Sequence, residues 1–344
     1  MIRALFAFPA ALALALLAAC GDGNGGQPAG SPSAGATPSP TAVSVSGPAR
    51  CEPARPAPSG RTSRTLIAGG IERRYLLYVA QGYDGTTPRP LLVSFHGLGQ
   101  PADLQLDTGA FEALADAQGL IVVAPVGTQD PLRWNNTLQS DGPDDVAFVR
   151  DMLDAVSAEL CIDQDAVFAA GYSNGAGMAQ RLACAMPDRI AAIALVAGQY
   201  VDCVGAARLI MFHGTADPVL PYDGGETPVF PGFSFLPARR VASEWARGLG
   251  CDGLAQIERA SAEIEVSRFV ACPLGTDEVI LYTVVGGGHT WPGTAVVLPE
   301  SVVGRTTAAI SATELLWEFF ALGLDPSAPA PAGDESDTGD GAVD

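Results

Sequence analysis

One stretch of the chain is the most informative about its fold: Val167-Phe168-Ala169-Ala170-Gly171-Tyr172-Ser173-Asn174-Gly175-Ala176-Gly177. It begins with an apolar run that ends in glycine, which is typical of a β-strand buried on both faces. The residues from Gly175 to Met186 have the character of a helix. The stretch therefore predicts a strand that leads through a sharp turn into a helix, with Ser173 in the turn.

The turn has the pattern Gly-x-Ser-x-Gly, which is expected where a serine is presented as a nucleophile. Such a turn lifts the serine hydroxyl out of the sheet, and side chains at Gly171 or Gly175 would collide with neighbouring segments. The pattern also arises by chance in a chain with 40 glycines, but here a strand precedes it and a helix follows it. We therefore predict that Ser173 is a nucleophile and that the backbone amide of Asn174 faces the developing oxyanion.

The rest of the globular part alternates apolar strands with helical segments. Strands are predicted for residues 73–79, 91–95, 120–124, 167–171, 190–196, 209–212 and 279–285, and helices for residues 104–118, 144–160, 175–186, 237–249 and 307–322. Asp144 and Asp145 open the second of these helices, where we expect their carboxylates to cap free backbone amides and to favour the helix dipole. Because helical segments of this length connect parallel strands, the pattern predicts an α/β fold of three layers with a mostly parallel central sheet. Ligands bind beyond the carboxyl ends of the strands in such sheets.

A serine hydroxyl needs a base to take its proton, and the chain has three histidines. His289 lies in a glycine-rich loop directly after the last predicted strand. His96 precedes the serine, and His213 lies just before a candidate acid. Because the order along the chain in proteins with this turn is serine, acid, histidine, we predict that His289 is the base.

The acid that orients this base is expected at a strand end between the serine and His289. Asp217 fits best, because the apolar run 209–212 is followed by a glycine turn that presents it. The alternatives Asp202, Asp223 and Glu226 follow a strand less directly. Asp217 could also do no more than cap a turn before a proline.

A second oxyanion donor is expected from the loop after an earlier strand. His96-Gly97-Leu98-Gly99 occupies that place. We predict the amide of Leu98 as the donor, with the amide of Gly97 as the alternative. His96 is predicted to brace this loop rather than to react.

Two tryptophans, Trp134 and Trp291, fall in loops on the side of the sheet where the predicted catalytic residues lie. They either form an apolar pocket for the acyl group or an aromatic ring of a substrate, or they pack against the rest of the protein. The sequence favours neither alternative over the other.

The two ends of the chain are predicted to lie outside the globular domain. Residues 1–20 have a positive start, a short apolar run and Leu17-Ala18-Ala19-Cys20, which predict a cleaved export signal with lipid attached to Cys20; an ordinary signal peptide is the alternative. Residues 21–60 are rich in Gly, Pro and Ser, and residues 325–344 form an acidic tail, so both are predicted to be disordered. The catalytic domain is predicted to span residues 61–324.

The composition excludes some partners. A formal net charge of −19 argues against a nucleic-acid partner, which calls for clustered Lys and Arg. Setting Cys20 aside leaves six of the seven cysteines, an even number that favours disulfides in an exported domain. The most local pairs are Cys251 with Cys272 and Cys184 with Cys203, which would leave Cys51 for Cys161, but the pairing stays open. No cofactor or metal is expected, because no CxxC pair occurs.

Taken together, the motifs resemble those of a known family. They are the segments Arg74–Val79, Phe95–Gly97, Asp144–Phe148, Gly171–Gly175, His213–Asp217 and Gly287–Pro292. In this order they are similar to the extracellular polyhydroxybutyrate depolymerase and feruloyl esterase family, which overlaps carbohydrate esterase family 1, includes LpqC-like lipoproteins and belongs to the α/β-hydrolase superfamily.

The resemblance implies an α/β-hydrolase fold and a secreted serine esterase that acts on feruloyl, acetyl-polysaccharide or hydroxyalkanoate esters. It assigns the triad roles to Ser173, Asp217 and His289, and an oxyanion role to Asn174. We expect a monomer at the cell envelope that contacts the membrane only through its lipid. Two alternatives remain at this point: a peptidase similar to prolyl oligopeptidases, and a surface lipoprotein that binds a ligand without catalysis.

Overall fold

The computed structural model describes residues 50–136, 142–199, 203–227, 229, 232–252, 254–273, 278–296, 298–322 and 324. All of them belong to one compact unit, Ser46–Asp344. The predicted export signal with Cys20, most of the predicted tether and all of the predicted acidic tail lie outside the described residues.

The described residues form twelve strands and seven helices. The strands are β1 Gly60–Ala68, β2 Ile71–Val79, β3 Arg89–Phe95, β4 Ile121–Pro125, β5 Ile162–Tyr172, β6 Ala192–Val196, β7 Arg208–Gly214, β8 Gly225–Glu226, β9 Ser234–Phe235, β10 Ala255–Arg259, β11 Ile264–Phe269 and β12 Val279–Val284. The helices are α1 Ala102–Thr108, α2 Phe111–Gln118, α3 Asp145–Glu159, α4 Asn174–Ala185, α5 Ala238–Gly248, α6 Glu300–Val303 and α7 Ala312–Ala321.

Ten of these strands form one sheet in the order β1-β2-β4-β3-β5-β6-β7-β12-β11-β10. The six strands from β4 to β12 in this order are parallel, and β1, β2, β11 and β10 extend the sheet by antiparallel pairing. The predicted mostly parallel sheet is confirmed. The antiparallel strands β1, β10 and β11 were not predicted. β1 and β10 consist largely of polar residues, and β11 alternates apolar with polar residues over only part of its six positions.

Successive residues of the central strands point to opposite sides of the sheet, and helices cover both of these sides. Leu91 and Val93 lie in one core cluster, and Leu92 between them lies in the other. The first cluster includes side chains of α3, α4 and α5, and the second includes side chains of α1, α2 and α7. The predicted three-layer α/β-hydrolase fold is therefore confirmed.

The helix predicted over residues 104–118 is two helices. Its break lies at Gly109 and Ala110, where Ala110 has a φ of 47°. A left-handed residue cannot continue a right-handed helix, and the hydrophobic spacing on its own does not reveal this interruption.

The start of α3 corrects part of another prediction. Asp144 caps the helix as expected, with its side chain accepting from the amide of Ala147 at 2.9 Å. Asp145 does not cap the helix. Its carboxylate is buried and pairs with the guanidinium of Arg73 on β2 at 2.6 Å.

Three disulfides join Cys51 to Cys161, Cys184 to Cys203 and Cys251 to Cys272. Such bonds persist in oxidising compartments, so they are consistent with an extracellular location. The first of them also fixes the end of the predicted tether, where Arg55 donates to the carbonyl of Ser157 at 2.5 Å. Cys51 and Arg55, within the predicted tether, therefore contact the domain. No helix in the described part of the chain is long and apolar enough to span a bilayer.

Candidate active site

The turn between β5 and α4 presents Ser173 in a strained backbone conformation. Ser173 has φ 53° and ψ −119°, which a non-glycine residue rarely adopts. Close packing explains the flanking glycines. A Cβ at Gly171 would lie 2.1 Å from the carbonyl oxygen of Gly175, and one at Gly175 would lie 2.3 Å from that of Phe95. The predicted strand, turn and helix are present, and strain of this kind is typical of functional sites.

Ser173, His289 and Asp217 form a continuous chain of hydrogen bonds. The Nε2 atom of His289 lies 2.8 Å from the Oγ of Ser173. The Nδ1 atom of the same ring lies 2.8 Å from the Oδ2 of Asp217. A neutral imidazole that donates from Nδ1 leaves Nε2 free to accept the serine proton, which is the arrangement of a nucleophile, a base and an orienting acid.

Asp217 lies in the turn after β7, and both of its carboxylate oxygens accept hydrogen bonds. Oδ1 accepts from the backbone amides of Val219 and Leu220, each at 2.8 Å. Oδ2 accepts from His289, and the Nε2 of His213 lies 3.4 Å away. Burial alone would raise the pKa of Asp217, but the hydrogen bonds from the two histidines outweigh burial and lower it below its usual value. Asp217 is therefore ionised at neutral pH.

The loop that carries His289 is fixed through its backbone. The buried hydroxyl of Tyr172 donates to the carbonyl of His289 at 2.6 Å, and the amide of His289 donates to the carbonyl of Val303 at 2.5 Å. Burial raises the pKa of Tyr172, so its hydroxyl remains a donor. The imidazole is thus held by main-chain contacts as well as by the acid.

The two predicted oxyanion donors lie at the start of α4 and in the loop after β3. The amide of Gly97 donates to the side chain of Gln100 at 3.2 Å, whereas the amide of Leu98 has no acceptor among the described residues. The amide of Asn174 is also without an acceptor there, as expected for the first residue of a helix. The geometry favours Leu98 over Gly97 as the partner of Asn174.

Both ring nitrogens of His96 lie within hydrogen-bond distance of backbone groups. Its Nε2 accepts from the amide of Gly127 at 3.0 Å, and its Nδ1 lies 2.8 Å from the carbonyl of Gly97. Nδ1 is therefore the protonated nitrogen. Burial lowers the pKa of His96, so the ring is neutral, and both of its nitrogens are engaged with backbone groups rather than free to react.

Comparison with known proteins identifies the family. Residues 73–233 match the family described as Esterase PHB depolymerase. The “Putative esterase NocK” of Nocardia uniformis subsp. tsuyamanensis is 30% identical over 342 residues, which cover 90% of this chain and 96% of that protein. The chain belongs to the Esterase PHB depolymerase family.

Other relatives match a smaller part of this chain. Feruloyl esterase B of Piromyces equi is 32% identical over 231 residues, which cover 63% of this chain and 42% of that protein. The solved structure of acetyl xylan esterase from Aspergillus awamori superposes with a TM-score of 0.53 at 15% identity, over 67% of this chain and 94% of that one. The second comparison supports the fold alone.

Membership in the esterase family confirms the predicted resemblance, and the chain is a carboxylic ester hydrolase. This finding favours the esterase prediction over the peptidase and the non-catalytic alternatives. The alternative triad acids have other positions: Asp223 and Glu226 are exposed, and Asp202 lies outside the described residues.

The two tryptophans predicted as pocket residues of the esterase are buried. Trp134 is 2% exposed and donates its indole N–H to the carbonyl of His96 at 2.9 Å. Trp291 is 1% exposed and donates to the hydroxyl of Thr313 at 3.0 Å. Both contact protein groups in this structure, and a role in binding substrate stays a prediction.

Three residues that support the site were not predicted to do so: Tyr172, Arg73 and Asp145. Tyr172 adjoins the serine in sequence, which is a signal that could have identified it. Arg73 and Asp145 are 72 positions apart, so no local pattern links them.

One group of potential metal ligands occurs among the described residues: Cys251, Cys272 and Glu278. The two sulfurs are joined in a disulfide, so they offer no thiolate to an ion. The group does not contribute to the site around Ser173.

Proposed function

We propose that the protein is a secreted serine esterase in which Ser173, His289 and Asp217 hydrolyse carboxylic esters through an acyl-serine intermediate. The observation that carries this proposal is the unbroken chain from the serine Oγ through the imidazole to the carboxylate, with 2.8 Å at each of its two contacts.

Acylation begins when the Oγ of Ser173 attacks the ester carbonyl carbon. The serine proton moves to the Nε2 of His289 as the bond from oxygen to carbon forms, and the carbonyl oxygen becomes an oxyanion. The tetrahedral intermediate then expels the alcohol, which takes the proton from Nε2. The imidazolium that exists between these steps is stabilised by the ionised Asp217.

Deacylation repeats the sequence with water. His289 takes a proton from a water molecule, whose oxygen attacks the acyl carbon. The second tetrahedral intermediate collapses to the free acid, and the proton returns to the Oγ of Ser173. Both intermediates carry an oxyanion, which accepts hydrogen bonds from the amides of Leu98 and Asn174. By analogy with measured donors of this kind, each is worth about 3 kcal/mol in the transition state.

The substrates are feruloyl or acetyl esters of polysaccharides, or hydroxyalkanoate esters. The family description supports hydroxyalkanoate esters, and the name of the Piromyces equi relative supports feruloyl esters. Acetyl esters are included because of the resemblance found in the sequence. The match spans less than half of feruloyl esterase B, so the choice among the classes depends on measurement.

The proposal extends to attachment at the cell envelope through a lipid on Cys20, with the enzyme acting as a monomer. The sequence Leu17-Ala18-Ala19-Cys20 supports lipid attachment. Intact-mass measurement of the membrane fraction tests the lipid, and the added lipid mass should be absent when Cys20 is replaced by Ser. Gel filtration tests the oligomeric state.

The decisive experiment measures turnover of p-nitrophenyl acetate and butyrate, methyl ferulate, acetylated xylan and a 3-hydroxybutyrate oligomer by the purified protein. Ser173→Ala is the control, and a fluorophosphonate probe reports directly on the serine. We expect turnover of at least one ester and labelling of the wild type alone. A folded wild type that turns over no ester and takes no label would refute the proposal.

A further inference from the structure

Three consecutive residues, Trp134, Asn135 and Asn136, lie between the two oxyanion loops, and we call them the bridging segment. The amide of Trp134 donates to the Oδ1 of Asn174 at 2.7 Å. The Nδ2 of Asn174 donates back to the carbonyl of Trp134 at 3.3 Å. The Nδ2 of Asn136 donates to the carbonyl of Asn174 at 3.2 Å. The residue after the nucleophile is therefore bound to the segment by its side chain and by its main chain.

The same tryptophan also contacts the other oxyanion loop. Its indole N–H donates to the carbonyl of His96 at 2.9 Å, one peptide before the Leu98 amide. Its ring lies 5.2 Å from the ring of Phe95 and 4.8 Å from that of His96, measured between centroids. Trp134 thus links the loop after β3 to the turn after β5.

A buried ion pair anchors the bridging segment through the backbone amide of Asn135. The amide of Asn135 donates to the Oδ2 of Asp145 at 2.7 Å, and the other oxygen accepts from Arg73 at 2.6 Å. The side chains of Arg73 and Asp145 are at most 1% exposed, and the guanidinium lies 3.9 Å from the ring centroid of Phe148. A segment anchored in this way has little freedom to move relative to the sheet.

We propose that Trp134 is a positioning residue for ester hydrolysis, which fixes the spacing between the amides of Leu98 and Asn174. The inference rests on the proposed function, because it acts through the oxyanion hole. Oxyanion donors are effective because their geometry is set before charge develops, and a displacement of about 1 Å can cost about 100-fold in rate. The bridging segment supplies that fixed geometry.

The test compares Trp134→Phe with Trp245→Phe in the full-length protein. Phenylalanine at position 134 keeps an aromatic ring and loses the bond to the His96 carbonyl. Trp245 is a matched control, because it is also buried and donates its indole N–H to a backbone carbonyl, that of Ala207, at 2.9 Å. It lies on α5, and none of the hydrogen bonds that it makes to described residues involves Ser173, His289 or Asp217.

Three readouts separate positioning from a general structural role. We expect kcat of Trp134→Phe to fall about 10- to 100-fold with KM changed less than about 3-fold. Inhibition by a boronic acid, which forms a tetrahedral adduct at the serine, should weaken by the same factor as kcat/KM. The acid limb of the pH profile should not move, because none of the hydrogen bonds that Trp134 and Asn136 make within the described residues involves His289.

Trp245→Phe should lower the melting temperature to a similar extent and keep kcat within about 2-fold. Asn136→Ala provides a second variant at a partly exposed position, where a folding defect is not expected, and kcat should fall about 3- to 10-fold. If the wild type is active and both bridging-segment variants keep its kcat, the positioning role of Trp134 is refuted while the proposed function stands. A wild type without turnover or fluorophosphonate labelling would refute the proposed function and the inference with it.

Discussion

Replacement of Asp217 by Asn should remove most of the activity by reversing the tautomer of His289. Oδ1 of Asp217 accepts from two backbone amides at 2.8 Å, and an asparagine must keep its carbonyl oxygen there. Its NH2 group then faces the Nδ1 of His289, which must become an acceptor. The ring proton moves to Nε2, so the atom 2.8 Å from the serine Oγ can no longer take the serine proton.

The expected loss follows from this geometry. An aspartate-to-asparagine change with the same effect on the tautomer lowers kcat about 10⁴-fold in another serine hydrolase, which corresponds to about 5 kcal/mol of activation free energy. We expect a loss of about this size in kcat for Asp217→Asn on p-nitrophenyl acetate. KM should change little, because the substitution does not alter the oxyanion amides or the site surface.

The assay uses initial rates together with the rate of fluorophosphonate labelling, which also needs an activated serine. Asp223→Asn is the control, because this exposed carboxylate lies six positions further on and has no contact with His289 among the described residues. Asp223→Asn should keep wild-type rates. Retention of more than about a tenth of the activity in Asp217→Asn would refute the assignment of the acid.

Three further predictions concern stability. Tyr172→Phe leaves the buried carbonyl of His289 without its donor at 2.6 Å, so the free energy of unfolding in urea should fall by about 1–3 kcal/mol; an unchanged midpoint would contradict this. The pKa of Asp217 would be raised by burial but is lowered overall by two histidine hydrogen bonds. Its contribution to stability is therefore complete above its unfolded pKa of about 4 and is lost as the pH falls further. The melting temperature of the wild type should decline more steeply below about pH 4 than that of Asp217→Asn, and parallel curves would exclude this linkage. Joint replacement of Cys51 and Cys161 by Ser opens a loop of 110 residues, which should lower the free energy of unfolding by about 4–5 kcal/mol in the chain-entropy treatment; a loss below about 1 kcal/mol would show that the unfolded chain is already compact.

The parts of the fold that sequence could predict are those with local signals. Three such signals are the apolar run of β5, the glycines around Ser173 and the apolar strand before Asp217. Each of them reflects the packing of its own segment. The position of His289 follows from the order of functional residues along the chain. These signals depend on neighbours within a few positions, so one sequence is enough to read them.

The parts that could not be predicted depend on contacts between distant segments. The pairing of Arg73 with Asp145 joins a strand to a helix start 72 positions away. The sequence predicts Asp145 as a helix cap because it lies next to Asp144, which is the cap. The break between α1 and α2 arises from the backbone of Ala110, whose residue type gives no warning. The role inferred for Trp134 depends on three loops that meet only in the folded chain.

The disulfide at Cys51 holds the start of the described chain far from the nucleophile. Cys161 lies at the amino end of β5, and Ser173 follows its carboxyl end after 11 residues of strand, a separation of roughly 35 Å. Cys51 is therefore fixed near the edge of the sheet opposite the nucleophile. A substituent joined to Arg50, the residue before this cysteine, would lie on that far edge and leave the reactive edge accessible to a bulky or insoluble ester.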